Sequence, residues 1–137
     1  NGGYMNKVYV VNKAGHDFSQ AEAYGTLVYL SEGVVNKFGI NHMYRTFAEV
    51  LKDSKSTDYI LMTGLTSMNV VACSQFTFLH GRLNLLIHKD DRYVERKIIM
   101  DSVLSKARIK NQHSHAGQEK IDSKNKNARN TDKEVRI

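Results

Sequence analysis

Thr63, Gly64, Thr66, Ser67 and Asn69 crowd into one short stretch directly after the apolar run Tyr59-Ile60-Leu61-Met62, and their types suit recognition of an anion. The stretch reads as a strand, a glycine turn and a helix start. The first N–H groups of a helix have no partner within it, so a phosphate can satisfy them. Gly64 supplies the turn, Thr66 and Ser67 add hydroxyls, and Arg45 or Lys13 offers the counter-charge. In the plainer use of the same residues, Thr66 or Ser67 only caps the helix and Gly64 only permits the turn. Neither G-x-G-x-x-G nor G-x-x-x-x-G-K-[ST] occurs, so neither dinucleotide nor Walker-type binding is indicated.

His16, His42 and His88, with Asp17 or Glu32, supply nitrogen and oxygen ligands of the kind zinc takes. They lie far apart and show no H-x-x-x-H or H-E-x-x-H spacing, so no metal and no cofactor is expected. Nucleophilic catalysis has no support, because there is no G-x-S-x-G elbow and Cys73 sits in the apolar stretch Val70-Val71-Ala72-Cys73, where a thiolate gains nothing. Asp90-Asp91 is most simply a hairpin turn. If the chain were an enzyme, His16 would be the acid or base and Asp17 or Glu32 its partner.

Residues so separated meet only through the fold. Lys7-Val8-Tyr9-Val10-Val11 is β-branched and aromatic, hence a first strand. Asp17 is placed to cap a helix over Phe18–Tyr24 that Gly25 closes. Thr26–Leu30 is a second strand, and because that helix is short for a crossover, an antiparallel pairing with the first stays open. Asn41 would cap a helix whose Met43, Phe47, Val50 and Leu51 recur every three or four residues. Tyr59–Thr63 is strand three. The helix from about Ser67 to Leu79 is apolar around much of its circumference, which calls for burial on more than one side. His80-Gly81 ends it, Leu83–Ile87 is an interior strand, and Tyr93–Met100, carrying Glu95, Arg96 and Lys97, is an edge strand. Asp101 would cap a last helix with Val103, Leu104 and Ala107, and from about Gln112 the composition is that of a disordered segment.

The order β-α-β-α-β-α-β-β is that of an α/β three-layer sandwich with a mainly parallel sheet, Rossmann-like or flavodoxin-like, of order 2-1-3-4-5 with an antiparallel edge strand. A single domain over residues 1–110 and a basic tail over 111–137 are expected, in keeping with a chain of 137 residues. Ligands of such sheets bind beyond the carboxyl ends of the strands. That rule gathers Asn12, Lys13 and His16 after strand one, Glu32 after strand two, Thr63 to Asn69 after strand three and His88 after strand four. Asn41, His42 and Arg45 join them at the same end. The ligand set is therefore Asn12, Lys13, His16, Arg45, Thr63, Gly64, Thr66, Ser67 and Asn69.

Residues 1–104 carry 11 Lys and Arg against 10 Asp and Glu, whereas residues 105–137 carry 9 against 4. The net charge of +6 is thus a property of the tail. Its Lys120, Lys124, Lys126 and Arg129 could neutralise phosphates of a nucleic acid, although without interleaved aromatics they cannot stack on bases. Sparse Ile109, Ile121, Val135 and Ile137 fit an arm that docks on a partner or on another subunit of a homo-oligomer. One cysteine and no apolar run of membrane-spanning length point to a cytoplasmic protein, and Met5 ahead of the first strand suggests that Asn1 to Tyr4 are not native. The leading reading is a non-enzymatic binding protein for a nucleotide-like or other phosphorylated ligand. A nucleic-acid- or nucleoprotein-associated protein acting through its tail, and a small hydrolase or transferase using the strand tips, are the alternatives.

Overall fold

A computed structural model describes residues 5–113 and divides the chain into two units, Asn1–Ile99 and Met100–Ile137. The first unit is a small α/β fold on a five-stranded mixed sheet. Its elements are β1 (Lys7–Val10), a 3-10 helix η1 (Ser19–Ala23), β2 (Thr26–Tyr29), α1 (Ile40–Leu51), β3 (Tyr59–Leu61), α2 (Thr66–His80), β4 (Arg82–Lys89) and β5 (Arg92–Ile99). Spatial order is β2-β1-β3-β4-β5. β1 runs parallel to both β2 and β3, and β3 parallel to β4, so β1 and β2 are not the antiparallel pair left open by the short helix between them. Only β4 and β5 are antiparallel, joined through Asp90 and Asp91, both at positive φ as a tight two-residue hairpin turn requires.

Alternation along the strands sorts side chains to two faces. Tyr9, Val11, Ile60, Leu83 and Leu85 face α1 and α2, where they pack with Met43, Phe47, Leu51, Met68 and Phe76. Val8, Val10, Leu61 and Leu86 face the other way, onto Phe18 and Ala21 of the η1 segment. The burial of α2 on several sides follows from its position: it packs on α1 and on β4, and only Val70, Phe78 and Leu79 of its large apolar residues stay exposed.

Three local expectations are corrected. The segment after β1 forms a 3-10 helix rather than an α-helix over Phe18–Tyr24, and its N-cap residue is Phe18, although the Asp17 carboxylate does accept the Ser19 N–H at 2.9 Å. Gly25 follows it because a Cβ there would overlap the carbonyl oxygen of Asn6, which is held by the Thr26 N–H at 2.9 Å. Gly39, not Asn41, is the N-cap of α1; the chain enters through a turn in which Asn36 accepts the Phe38 N–H and the Gly39 N–H. Finally, Gln112 and His113 are still helical, in a helix over 102–113 that belongs to the second unit. Asp101 begins that helix as expected, its carboxylate accepting the Leu104 N–H at 3.1 Å.

At the amino ends of the strands, buried Asp58 accepts the N–H groups of Lys7 and Lys55 at 2.9 and 2.8 Å. Buried Asn84 donates to the carbonyls of Ser56 and Asp58, both at 2.7 Å. These bonds satisfy backbone groups that the sheet itself leaves unpaired. No helix among the described residues is long and apolar enough to cross a membrane.

Candidate functional site

Leu61 of β3 pairs with Leu86 of β4, and both point to the η1 face. Two residues further on, alternation along β4 brings His88 to that face, and Thr63, just past the end of β3, lies beside it in the same cleft. Across the hairpin, His88 is registered with Tyr93. A row of Thr63, His88 and Tyr93 therefore crosses the carboxyl end of the sheet, and the segment after β1 lies over it with His16, Asp17 and Phe18. These residues, floored by Leu61 and Met62, line a cleft of about 300 Å³.

Two ring pairs wall it. His16 meets Phe18 edge to face at 6.1 Å, and His88 meets Tyr93 likewise at 5.4 Å. The carboxylate of Asp17 is held below its usual range by the Ser19 N–H first and the Ser19 hydroxyl second, so it is ionised at neutral pH. Burial raises the Tyr93 hydroxyl, and the Asp17 charge pushes it further. Among the described residues no Lys or Arg is in the lining. Lys13 is reached by a chain of contacts outside it: Phe18 packs against Tyr29 at 6.3 Å, and the Lys13 ammonium lies 5.0 Å over the Tyr29 ring.

Of the residues expected to bind a ligand, His16 and Thr63 line the cleft, together with Asp17 from the loop of His16 and His88 from β4. The others have different situations. Asn12 is buried; its Nδ2 donates to the Gly33 carbonyl at 2.9 Å and its Oδ1 accepts the Ser31 hydroxyl at 2.9 Å, so it fastens the loops after β1 and β2 to each other. Asn69 ties down the turn before α2, accepting the Thr63 N–H at 3.1 Å and donating to Leu65 at 3.2 Å. Ser67 donates its hydroxyl to the Lys37 carbonyl at 3.1 Å. Leu65 is the N-cap of α2, so neither Thr66 nor Ser67 caps it. Gly64, at φ +81°, leaves only 3.2 Å for a Cβ against Asn12 and serves the turn. Arg45 is exposed on α1. The start of α2 contributes nothing to the cleft lining, because α2 packs on the opposite face of the sheet.

His42 is exposed on α1 and outside the cleft lining, so the three histidines do not converge. Among the described residues no group of three or more His, Cys, Asp and Glu is placed to hold a metal ion. Cys73 is mostly buried and its thiol is pushed up to about 11 by that burial. Lys120, Lys124, Lys126 and Arg129 lie outside the described residues.

One pair escaped the sequence reading. Ser54, just past α1, and His80, the last residue of α2, meet with Oγ and Nε2 2.7 Å apart, and the His80 ring packs on Phe76 at 4.5 Å. A Ser–His contact suggests a nucleophile, but both residues lie at helix C-termini, where carbonyl oxygens rather than N–H donors point outward and an oxyanion finds no support. Its role is to join the ends of α1 and α2. Polar residues at two helix ends were the available signal for it.

The family model described as phage Pam3 gp32-like protein matches residues 6–101. No curated protein and no solved structure matches the chain.

Proposed function

This chain belongs to the phage Pam3 gp32-like protein family, and we propose that it is a non-enzymatic α/β binding protein that takes a nucleotide-like ligand at the carboxyl ends of its parallel strands. The observation that carries the reading is the cleft of about 300 Å³ that joins Thr63 and His88, at the ends of β3 and β4, to His16 in the loop after β1. Its size lies at the small end of ligand pockets, which run from about 300 to 1,000 Å³. We read the strand order as flavodoxin-like, and in such sheets ligands collect where the order reverses, between β1 and β3. The cleft takes Leu61 to Thr63 from the end of β3, and His16 to Phe18 from the loop that follows β1. With aromatic walls and, among the described residues, no Lys or Arg in its lining, it suits the ring of a nucleotide-like molecule better than its phosphate, which would lie outside, towards Lys13.

Thermal unfolding of the full chain with nucleosides, nucleotides and phosphosugars tests the reading, since a ligand specific for the folded state raises the midpoint by mass action. A concentration-dependent shift that is lost in Thr63→Val and kept in Arg45→Ala supports it. No shift from any compound removes it. The excess of 9 cations over 4 anions in residues 105–137 favours a second reading, nucleic-acid binding through Lys120, Lys124, Lys126 and Arg129. That reading requires an interaction with DNA or RNA that weakens steeply with salt.

A further inference from the structure

Among the described residues the cleft is lined by one carboxylate and no Lys or Arg, an arrangement that disfavours an anionic group and rewards hydrogen-bond donors. Asp17 is also oriented. Its Oδ1 accepts the Ser19 N–H at 2.9 Å and the carboxylate also takes the Ser19 hydroxyl; of the about four lone-pair positions of an ionised carboxylate, two remain for a ligand. Two edge-to-face ring pairs, His16 with Phe18 and His88 with Tyr93, share the lining with it, and aromatic walls suit a flat heterocycle. Resting on the binding reading above, we propose that the cleft selects a planar base with two adjacent N–H donors, a guanine-type edge, through the Asp17 carboxylate. Two parallel donors match the two oxygens of a carboxylate. An adenine edge sets a ring-nitrogen lone pair against the same charge, and hypoxanthine lacks one of the two donors.

Calorimetric titration of the full chain with guanosine, inosine, adenosine and inorganic phosphate tests this, with the 5′-monophosphates in parallel. Guanosine is expected to bind at least about tenfold more tightly than inosine or adenosine, because losing one hydrogen bond to a charged acceptor costs about that much. Inorganic phosphate alone should not bind. Asp17→Asn keeps an oxygen for the Ser19 N–H while replacing an acceptor with a donor, so the variant should fold as before and lose the preference for guanosine. Equal affinity for guanosine and adenosine, or discrimination unchanged in Asp17→Asn, overturns the edge selection and leaves the binding reading standing. Binding of phosphate alone also overturns it. Silence from every nucleoside and nucleotide overturns both.

Discussion

His88 and Tyr93 stand opposite each other across the β4–β5 hairpin, with ring centroids 5.4 Å apart and planes inclined at 65°. The pair forms one wall of the cleft, and His88 is exposed, so its ring is available to a ligand without supporting the core. His88→Ala should reduce ligand affinity about tenfold while changing folding stability by less than about 0.5 kcal/mol, as exposed substitutions ordinarily do. Parallel titration and urea unfolding check both halves. A large loss of stability would make the residue structural.

Gly25 and Gly33 separate two reasons for a glycine. At Gly25 a side chain would meet the Asn6 carbonyl, whereas Gly33, at φ +72°, has nothing within 4 Å. Gly33→Ala should cost about 1 kcal/mol, the ordinary penalty of the left-handed region. Gly25→Ala adds a backbone clash and should cost about 3 kcal/mol. Chemical denaturation ranks them, and a reversed order would contradict the close approach to Asn6.

Burial lowers the His80 pKa from its ordinary 6.5, and the Asp58 charge opposes this only in part. The unfolded chain therefore takes up the proton first as pH falls, and stability rises with pH wherever that holds. The contribution is present above about pH 6.5 and is lost as pH falls from there through the lower folded-state value. His80→Gln, which has no such titration, should lose less stability than the parent chain between about pH 7.5 and 5.5. Parallel losses would show that His80 does not titrate as described.

Gln75 is buried between the helices, where its Nε2 donates to the Tyr44 carbonyl at 2.8 Å and its Oε1 has no partner among the described residues. An unsatisfied buried acceptor costs roughly 1–3 kcal/mol, which offsets what the donated bond contributes. Gln75→Met has a similar shape and removes the orphan, so it should be neutral or raise stability by up to about 1 kcal/mol. A loss above about 2 kcal/mol would show that Oε1 is satisfied in solution.

The elements themselves were largely legible. Met43, Phe47 and Leu51 at helical spacing, the β-branched strands and the Asp90-Asp91 turn each carry a local signal that tertiary contacts did not override. The cleft was harder, for a definite reason. Alternation says that Leu61 and Thr63 share a face, but not that α2 covers the other one, so the glycine turn and the cleft looked like one site. Asn12, Ser67 and Asn69 are polar residues at the right end of the sheet, yet their hydrogen bonds go to neighbouring loops and backbone. No spacing rule foretells such partners. The His88–Tyr93 pair was within reach: a two-residue turn at 90–91 sets Lys89 against Arg92 and His88 against Tyr93 by counting alone.

The buried thiol of Cys73 has a practical use. With its pKa pushed up to about 11, only ~0.1% of it is thiolate near pH 8, the form that reacts with alkylating dyes. Because it is the chain's single cysteine, a new cysteine introduced on the exposed hairpin at Lys89 would be tagged selectively. A fluorophore there would report on the cleft without first removing the native thiol.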